Sequence, residues 1–98
     1  MDGIVGFDWD DGNRAKCTKH GVSIAEIESL FDGDPAIKAD IAHSQTEIRV
    51  RAVGRALTGR CVFLVFTICT RLGQRLVRPV SARYMHRKEI RRYEETRS

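Results

Sequence analysis

The chain has 98 residues, of which 42% are hydrophobic and 31% are charged, and its formal net charge is +4. These values are typical of one soluble globular domain, residues 1–98, with a modest hydrophobic core. The longest apolar run, residues 61–69, is too short to cross a bilayer, and no basic and apolar signal segment opens the chain. We therefore expect a cytoplasmic protein without a membrane partner.

The three cysteines are an odd number, which argues against a disulfide framework. Cys61 and Cys69 lie in an apolar strand pattern, where cysteine usually acts as a small buried hydrophobe. Cys17 and His20 are three residues apart on a predicted helix, but no second pair completes a zinc site at a suitable spacing. We predict neither a metal site nor a cofactor.

The start of the chain predicts a short strand, residues 5–9, and then a helix. Asp10 is a suitable N-cap for this helix, and Gly21 is a suitable C-terminal stop. Lys19 and His20 then fall in the last turn, where the helix dipole favours cations. That effect accounts for both residues as well as a catalytic role does, so their function is left open here.

A second helix begins at the capping box formed by Ser23 and Glu26 and ends at residues 32–35. Four strands follow, recognised by alternation or by a continuous apolar run: residues 37–42, 47–53, 61–69 and 75–82. Residues 54–59 predict a loop, and residues 84–96 predict a final helix with a thin apolar stripe. Hairpin-length links imply an α+β fold: an antiparallel four-stranded meander plus the short N-terminal strand, with the helices packed on one side.

Charge is divided unevenly along the chain. Residues 1–48 hold 4 basic and 10 acidic side chains, whereas residues 49–98 hold 13 basic and 3 acidic ones. Twelve of these 13 cations are arginine, whose planar guanidinium suits bidentate contacts with phosphate. The densest stretch, residues 75–95, joins the last strand to the basic final helix. A phosphate-rich polymer is the expected ligand.

The strands indicate where such a ligand would bind. Glu47, Arg49 and Arg51 alternate away from the core, and Ser81 and Arg83 share one face of the last strand by the same period of two. Neighbouring strands would bring the two groups together on one surface.

Arg78 falls on the opposite face if the last strand is regular. Pro79 cannot donate to the strand ladder, so an edge position or a bulge that redirects Arg78 is expected there.

This surface suits RNA cleavage without a metal ion, in which the 2′-hydroxyl attacks the neighbouring phosphorus. Arginines would stabilise the developing negative charge. Proton transfer could fall to Glu47, His20, His43 or Lys19. The same row is also typical of a solvated sheet face, and His43 fits an exposed loop residue better than a catalyst. A non-catalytic nucleic-acid-binding domain and a protein that binds an acidic partner remain alternatives.

Several short motifs follow one another in a specific order over residues 7–95. They are Phe7-Asp8-Trp9-Asp10, Lys19-His20-Gly21-Val22-Ser23, Glu47-x-Arg49, Val53-Gly54-Arg55, Gly59-Arg60, Arg78-x-x-Ser81-Ala82-Arg83 and Arg92-Tyr93-Glu94. In this order they resemble the BrnT family of bacterial type II toxins. The chain departs from the usual family pattern at Gly12-Asn13, where many members carry a lysine, and at Pro79, where many carry an aliphatic residue.

The resemblance implies a RelE-like fold and a metal-independent endoribonuclease that inhibits translation and growth. It also implies a BrnA-like DNA-binding antitoxin, a dimer within the toxin–antitoxin complex, and contact with operator DNA through the antitoxin. Carried over residue by residue, the catalytic positions match Lys19, His20, Glu47, Arg49, Arg78, Ser81 and Arg83. The further cations expected to bind RNA are Arg51, Arg55, Arg87, Lys88 and Arg91. The cations of the final helix could bind the antitoxin instead of the RNA backbone: Arg87, Lys88, Arg91 and Arg92.

Overall fold

The structure, a computed structural model, describes residues 3–40 and 48–97, which form three α-helices and one five-stranded mixed sheet. The strands are β1 (Ile4–Phe7), β2 (Ala36–Asp40), β3 (Arg49–Arg55), β4 (Cys61–Arg71) and β5 (Gln74–Tyr84). The helices are α1 (Asp11–Thr18), α2 (Ile24–Ser29) and α3 (Arg87–Arg97), and a 3-10 turn, Leu30–Asp32, follows α2.

The strands lie in the order β1-β5-β4-β3-β2. The pairs from β2 to β5 are antiparallel, whereas β1 runs parallel to β5. The α+β class, the two N-terminal helices and the C-terminal helix are confirmed. The sheet as a whole is mixed because β1 is parallel to β5. The chain passes from β1 through both N-terminal helices and then enters the far edge of the sheet at β2.

Side-chain caps determine where the first two helices begin. Asp10 accepts a hydrogen bond from the backbone N–H of Asn13, and the Asn13 side chain accepts one from Asp10 in return. Ser23 and Glu26 make the equivalent pair of bonds at α2, as the sequence predicted. Each box satisfies two N–H groups that a helix start otherwise leaves without a partner.

Glu26 also joins α2 to the sheet, although it is a carboxylate that is only 4% exposed. Its oxygens accept hydrogen bonds from the hydroxyls of Thr58, at 2.6 Å, and Tyr84, at 2.7 Å. Burial would raise the pKa of Glu26, but the bonds from Thr58, Ser23 and Tyr84 lower it to about 2. The ionised group therefore stabilises the fold above its usual pKa of 4.5, and this contribution is lost as the pH falls through about 2.

The hydrophobic core lies between one face of the sheet and the first two helices. It is formed by buried side chains of those elements and the segments that follow them: Cys17, Val22, Ile27, Leu30, Ala52, Ala56, Val62, Leu64, Phe66, Val77 and Ala82. We call the opposite sheet face the outer face. Helix α3 lies over the outer face, so the expectation that all helices pack on one side is wrong. The core face is already covered by α1 and α2, and the thin apolar stripe of α3 suits a partly solvated position.

Several boundaries also differ from expectation, and two of them affect how neighbouring elements pack or connect. Gly54 belongs to β3 rather than to the following loop, and the missing side chain leaves room for Pro35, whose Cα would lie 3.4 Å from an added Cβ. Strand β5 continues to Tyr84, so α3 begins three residues later than predicted.

The turn between β4 and β5 offers a test of backbone strain. Arg71 pairs with Gln74, and both residues between them have positive φ: Leu72 at 53° and Gly73 at 78°. Such two-residue turns favour asparagine or glycine, whereas leucine is strained there. Because the Leu72 side chain is fully exposed, Leu72→Asn should raise the free energy of unfolding by about 0.5–1 kcal/mol.

Urea denaturation of the full chain measures this change. Leu57→Asn is the control, because Leu57 is also exposed but does not have a positive φ, and it should leave the unfolding free energy nearly unchanged. Equal effects of the two substitutions would contradict the assignment of strain to Leu72.

Candidate active site

A β-bulge in β5 determines which side chains reach the outer face. Val65 of β4 pairs with Ser81, but the next residue, Phe66, pairs with Pro79, so Val80 is an extra residue in β5. Pro79 has no N–H to donate, which makes an interruption of the ladder at this point inexpensive. The bulge that the sequence suggested at Pro79 is present.

The extra residue reverses the alternation of side chains beyond it. Arg78 pairs with Thr67, two residues from Val65, and so shares the outer face with Ser81 and Arg83. The regular strand considered from the sequence would have placed Arg78 on the core face.

Two rows of residues cross the outer face from β2 to β5, each made of directly paired positions. The first row is Lys38, Arg51, Val65 and Ser81, and the second is Ala36, Val53, Phe63 and Arg83. Neighbouring strands lie about 4.8 Å apart, so Lys38 and Arg51 are adjacent on this face, whereas β4 separates Arg51 from Ser81 and Arg83. The expectation that neighbouring strands bring these two groups together is therefore wrong, although both groups do lie on one face. Arg49 follows on the same face of β3, two residues before Arg51.

Arg83 is held in a defined orientation on this face. Its Nη1 and Nη2 atoms donate to the two carboxylate oxygens of Glu89, at 2.8 and 2.9 Å. The guanidinium carbon lies 4.5 Å from the centre of the Phe63 ring. The two parallel hydrogen bonds are the geometry with which arginine binds carboxylate or phosphate. About a third of the Arg83 side chain remains exposed to solvent.

Glu89 is a site residue that the sequence analysis missed. It lies in the first turn of α3, where its Oε1 atom also accepts the backbone N–H of His86 at 2.8 Å. The bonds from Arg83 and from His86 lower the pKa of Glu89 to about 2, although burial opposes them. The available signal was an acidic residue three positions after His86, because that spacing is typical of a capping box.

Arg78 is engaged by two carboxylates elsewhere on the face. Its guanidinium donates to Asp8 at 3.1 Å and to Asp10 at 2.5 Å. Asp8 also accepts hydrogen bonds from Arg71 at 3.1 Å and from the Cys69 thiol at 3.4 Å. The bonds from Asp10 and Asp8 raise the pKa of Arg78, so this cation stays charged inside an ion-pair cluster.

Asn13 and Pro79, at the two positions where the sequence departs from the pattern described above, are joined by a hydrogen bond. The Asn13 side chain is nearly buried and donates to the carbonyls of Asp8, at 2.9 Å, and Pro79, at 3.0 Å. Asn13 thereby fastens α1 to the bulge in β5.

Lys19 and His20 are exposed residues just after α1. Neither forms a described hydrogen bond or ion pair with Ser81 or Arg83. The adjacent Gly21 carbonyl accepts the Tyr84 hydroxyl at 3.3 Å, which places this loop near the end of β5. The structure does not bring Lys19 and His20 into the rows of the outer face. Glu47 and His43 lie outside the described residues.

The further cations predicted to bind RNA occupy different surroundings. Arg51 is half-buried, and its Nε atom is buried without a hydrogen-bond partner in the described part of the chain. Arg55 pairs with Glu94 at 2.9 Å on the surface. The remaining three are exposed on α3: Arg87, Lys88 and Arg91.

The described residues, 3–40 and 48–97, lack two features that would indicate other kinds of site. No group of three or more His, Cys, Asp or Glu side chains there could hold a metal ion. No helix among these residues has the length and apolar character needed to span a membrane.

Comparison with protein families gives one match. Residues 9–89 match the model of a family described as the ribonuclease toxin, BrnT, of type II toxin–antitoxin systems. The matched span contains the outer-face residues of β3 to β5 and Glu89, and it ends within the first turn of α3. A comparison with curated proteins gives no match.

The pairing of Arg83 with Glu89 predicts a measurable shift in a titration. Arg83→Gln removes the two charged donors, so the pKa of Glu89 should rise from about 2 toward its usual value of 4.5. In the parent chain the pair contributes to stability above pH 4.5, and that contribution is lost as the pH falls through about 2.

Carbon-detected NMR of the Glu89 carboxyl group measures this pKa. Arg75→Gln is the matched control, because it removes an exposed arginine of the same strand and should leave the Glu89 pKa unchanged. An unaltered Glu89 pKa in Arg83→Gln would show that another group lowers it.

Proposed function

Because the chain belongs to the BrnT family of ribonuclease toxins of type II toxin–antitoxin systems, we propose that it is a metal-independent endoribonuclease whose substrate supplies the nucleophile. The RNA 2′-hydroxyl attacks the adjacent phosphorus, and the 5′-oxygen of the next nucleotide leaves. The products are a 2′,3′-cyclic phosphate and a free 5′-hydroxyl. Cleavage of cellular RNA then inhibits translation and growth.

The observation that supports this proposal best is the bidentate pair between Arg83 and Glu89. The Glu89 carboxylate occupies the position in which two oxygens of a phosphate would meet the same guanidinium. RNA would bind by replacing Glu89, and Arg83 would then stabilise the negative charge that develops on the phosphorane.

Neighbouring groups on the outer face would complete the site. Arg49 and Arg51 lie on the same face of β3, which β4 separates from β5, and add positive charge, and the Ser81 hydroxyl can donate a hydrogen bond to a phosphate oxygen. We propose Glu47 as the group that takes the proton from the 2′-hydroxyl and returns one to the 5′-oxygen. Lys19 and His20, which do not reach the rows of the outer face, are left out of this step.

Arg78 has a different environment from Arg83, although both were carried over as catalytic positions. Its contacts with Asp8 and Asp10 support a role in holding the β1–α1 junction against β5. Within the proposed site, Arg83 therefore binds the phosphate and Arg78 positions the strand.

A type II toxin also has an antitoxin partner, and we propose that this is a BrnA-like DNA-binding protein. The exposed cations of α3, Arg87, Lys88 and Arg91, are available to the antitoxin or to the RNA backbone. In the proposed assembly the toxin is a dimer within the toxin–antitoxin complex in the cytoplasm and reaches operator DNA through the antitoxin. The α+β arrangement is consistent with a RelE-like fold.

Loss of Arg83 tests the catalytic proposal. Arg83→Ala should lower the rate of RNA cleavage by about 10²–10³-fold, because it removes a charged donor to the transition state. Cleavage by the parent chain should persist in EDTA. Both are measured on a defined RNA with purified protein, and inducible expression in bacteria checks that growth arrest is lost together with cleavage.

Arg75→Ala is the control, since it removes an exposed arginine of the same strand that lies outside the proposed site. Intact RNA and normal growth with the folded parent chain would refute the ribonuclease proposal. Loss of cleavage in EDTA that zinc or magnesium restores would refute its metal independence.

Removal of the Glu89 charge tests whether this carboxylate competes with RNA. Glu89→Gln keeps an oxygen for the His86 N–H but no longer forms an ion pair with Arg83. Affinity for a non-cleavable 2′-O-methyl RNA at fixed salt should rise about 1.4- to fivefold, the equivalent of the roughly 0.2–1 kcal/mol that a partly exposed ion pair contributes.

Glu28→Gln makes the same change in net charge on a residue whose carboxylate contacts Trp9 rather than a cation of the outer face. Equal gains in affinity in both variants would assign the effect to net charge instead of to Arg83.

A further inference from the structure

A cleft of about 480 Å³ lies between α3 and the adjoining part of the outer face. Its walls come from β2, β3 and β4 on one side and from Met85 and the inner side of α3 on the other. This volume is within the roughly 300–1,000 Å³ of typical small-molecule sites.

The cleft is positively charged. Lys38, Arg51 and Arg92 contribute to its lining, and the single acidic lining residue of the described chain, Glu89, is already paired with Arg83. The buried Nε atom of Arg51 has no described hydrogen-bond partner. A buried N–H of this kind costs free energy until an acceptor reaches it, so an oxygen-rich anionic ligand would improve the site.

The cleft also has flat apolar walls. Phe63 lies in its sheet wall, and Tyr93 and Met85 lie on the side of α3. Aromatic side chains beside cations are the combination that binds nucleic acid bases by stacking while the phosphates meet the charges.

The cleft is continuous with the proposed phosphate site. Phe63 and Glu89 both line the cleft, and both contact Arg83 directly. A ligand whose apolar part lies in the cleft would therefore bring an attached anion to Arg83. The last three cleft residues of α3 lie beyond residue 89, where the family match ends: Arg92, Tyr93 and Thr96.

We propose that this cleft binds one unpaired RNA nucleotide next to the cleaved bond. Its base would lie between Phe63 and Tyr93, and its phosphate would reach Arg83 and Arg51. The assignment rests on the proposed ribonuclease function and adds the position at which that enzyme distinguishes bases. Cleavage preference would then depend on residues of α3.

NMR titration of the full chain with the four nucleoside 3′-monophosphates tests the site, with inorganic phosphate and unphosphorylated nucleosides as matched probes. At least one nucleotide should bind about tenfold more tightly than inorganic phosphate and shift the amide signals of Val53, Phe63 and Tyr93. Nucleotides that bind no better than phosphate, or that shift signals only outside the cleft, would overturn the proposal.

Substitutions in the cleft test which residues bind the base and which bind the phosphate. Tyr93→Ala should weaken nucleotide binding about tenfold through loss of stacking, whereas Tyr93→Phe should retain it. Arg51→Gln should weaken nucleotides and inorganic phosphate alike, and Arg75→Gln should change neither. Thermal unfolding of each variant checks that it is folded. Equal affinity of folded Tyr93→Ala and the parent chain would overturn the placement of the base.

The outcomes separate this inference from the proposed function. Nucleotide binding in the cleft of a chain that leaves RNA intact would support the subsite and refute the ribonuclease activity. RNA cleavage whose base preference is unchanged in Tyr93→Ala, with no nucleotide bound in the cleft, would refute the subsite alone. Protection of the cleft by the purified antitoxin but by no nucleotide would assign it to the protein partner and overturn the proposal.

Discussion

The set of side chains on the outer face depends on one constraint in β5. This strand buries three side chains on its core face, and strict alternation cannot place all three on the same side. Val77, Pro79 and Ala82 are all buried on the core face, yet strict alternation separates positions 79 and 82. The bulge resolves this conflict with one extra residue, Val80, at a proline that has no N–H to contribute. The same shift places Arg78 on the outer face, so one bulge determines both the packing of β5 against the core and the residues of the candidate site.

The positive charge of residues 49–98 is partly neutralised, because nearby carboxylates form ion pairs with several of the arginines. Asp8 binds Arg71 and Arg78 at one end of the sheet, and Glu89 binds Arg83 at the other. These pairs orient the guanidinium groups, which reduces the ordering needed when a ligand arrives. In the proposed function they would make binding an exchange of one anion for another, in which phosphate replaces a carboxylate at Arg83.

Helix α3 gives this exchange its structural setting. It follows β5 closely and lies over the outer face, where its first turn supplies Glu89 and its next turns form the wall of the cleft. The helix has too thin an apolar stripe to join the core, and this permits it to remain partly solvated beside the cations of β2 and β3. In the two proposals made above, a single element would thus supply both the competitor of the phosphate and a surface for a base.

Local rules were enough to predict the helices that carry their own caps, such as the one begun by Ser23 and Glu26, and the strand built from a continuous apolar run, because neighbours in the chain decide them. The order of motifs was likewise enough to identify the family, and the charge asymmetry indicated an anionic ligand. The parallel partner of β1, the side taken by α3, the face of Arg78 and the pairing of Arg83 with Glu89 were decided only by the tertiary structure. Each of them depends on contacts between elements that compete for the same sheet surface, and the period of a single strand or helix carries no information about that competition.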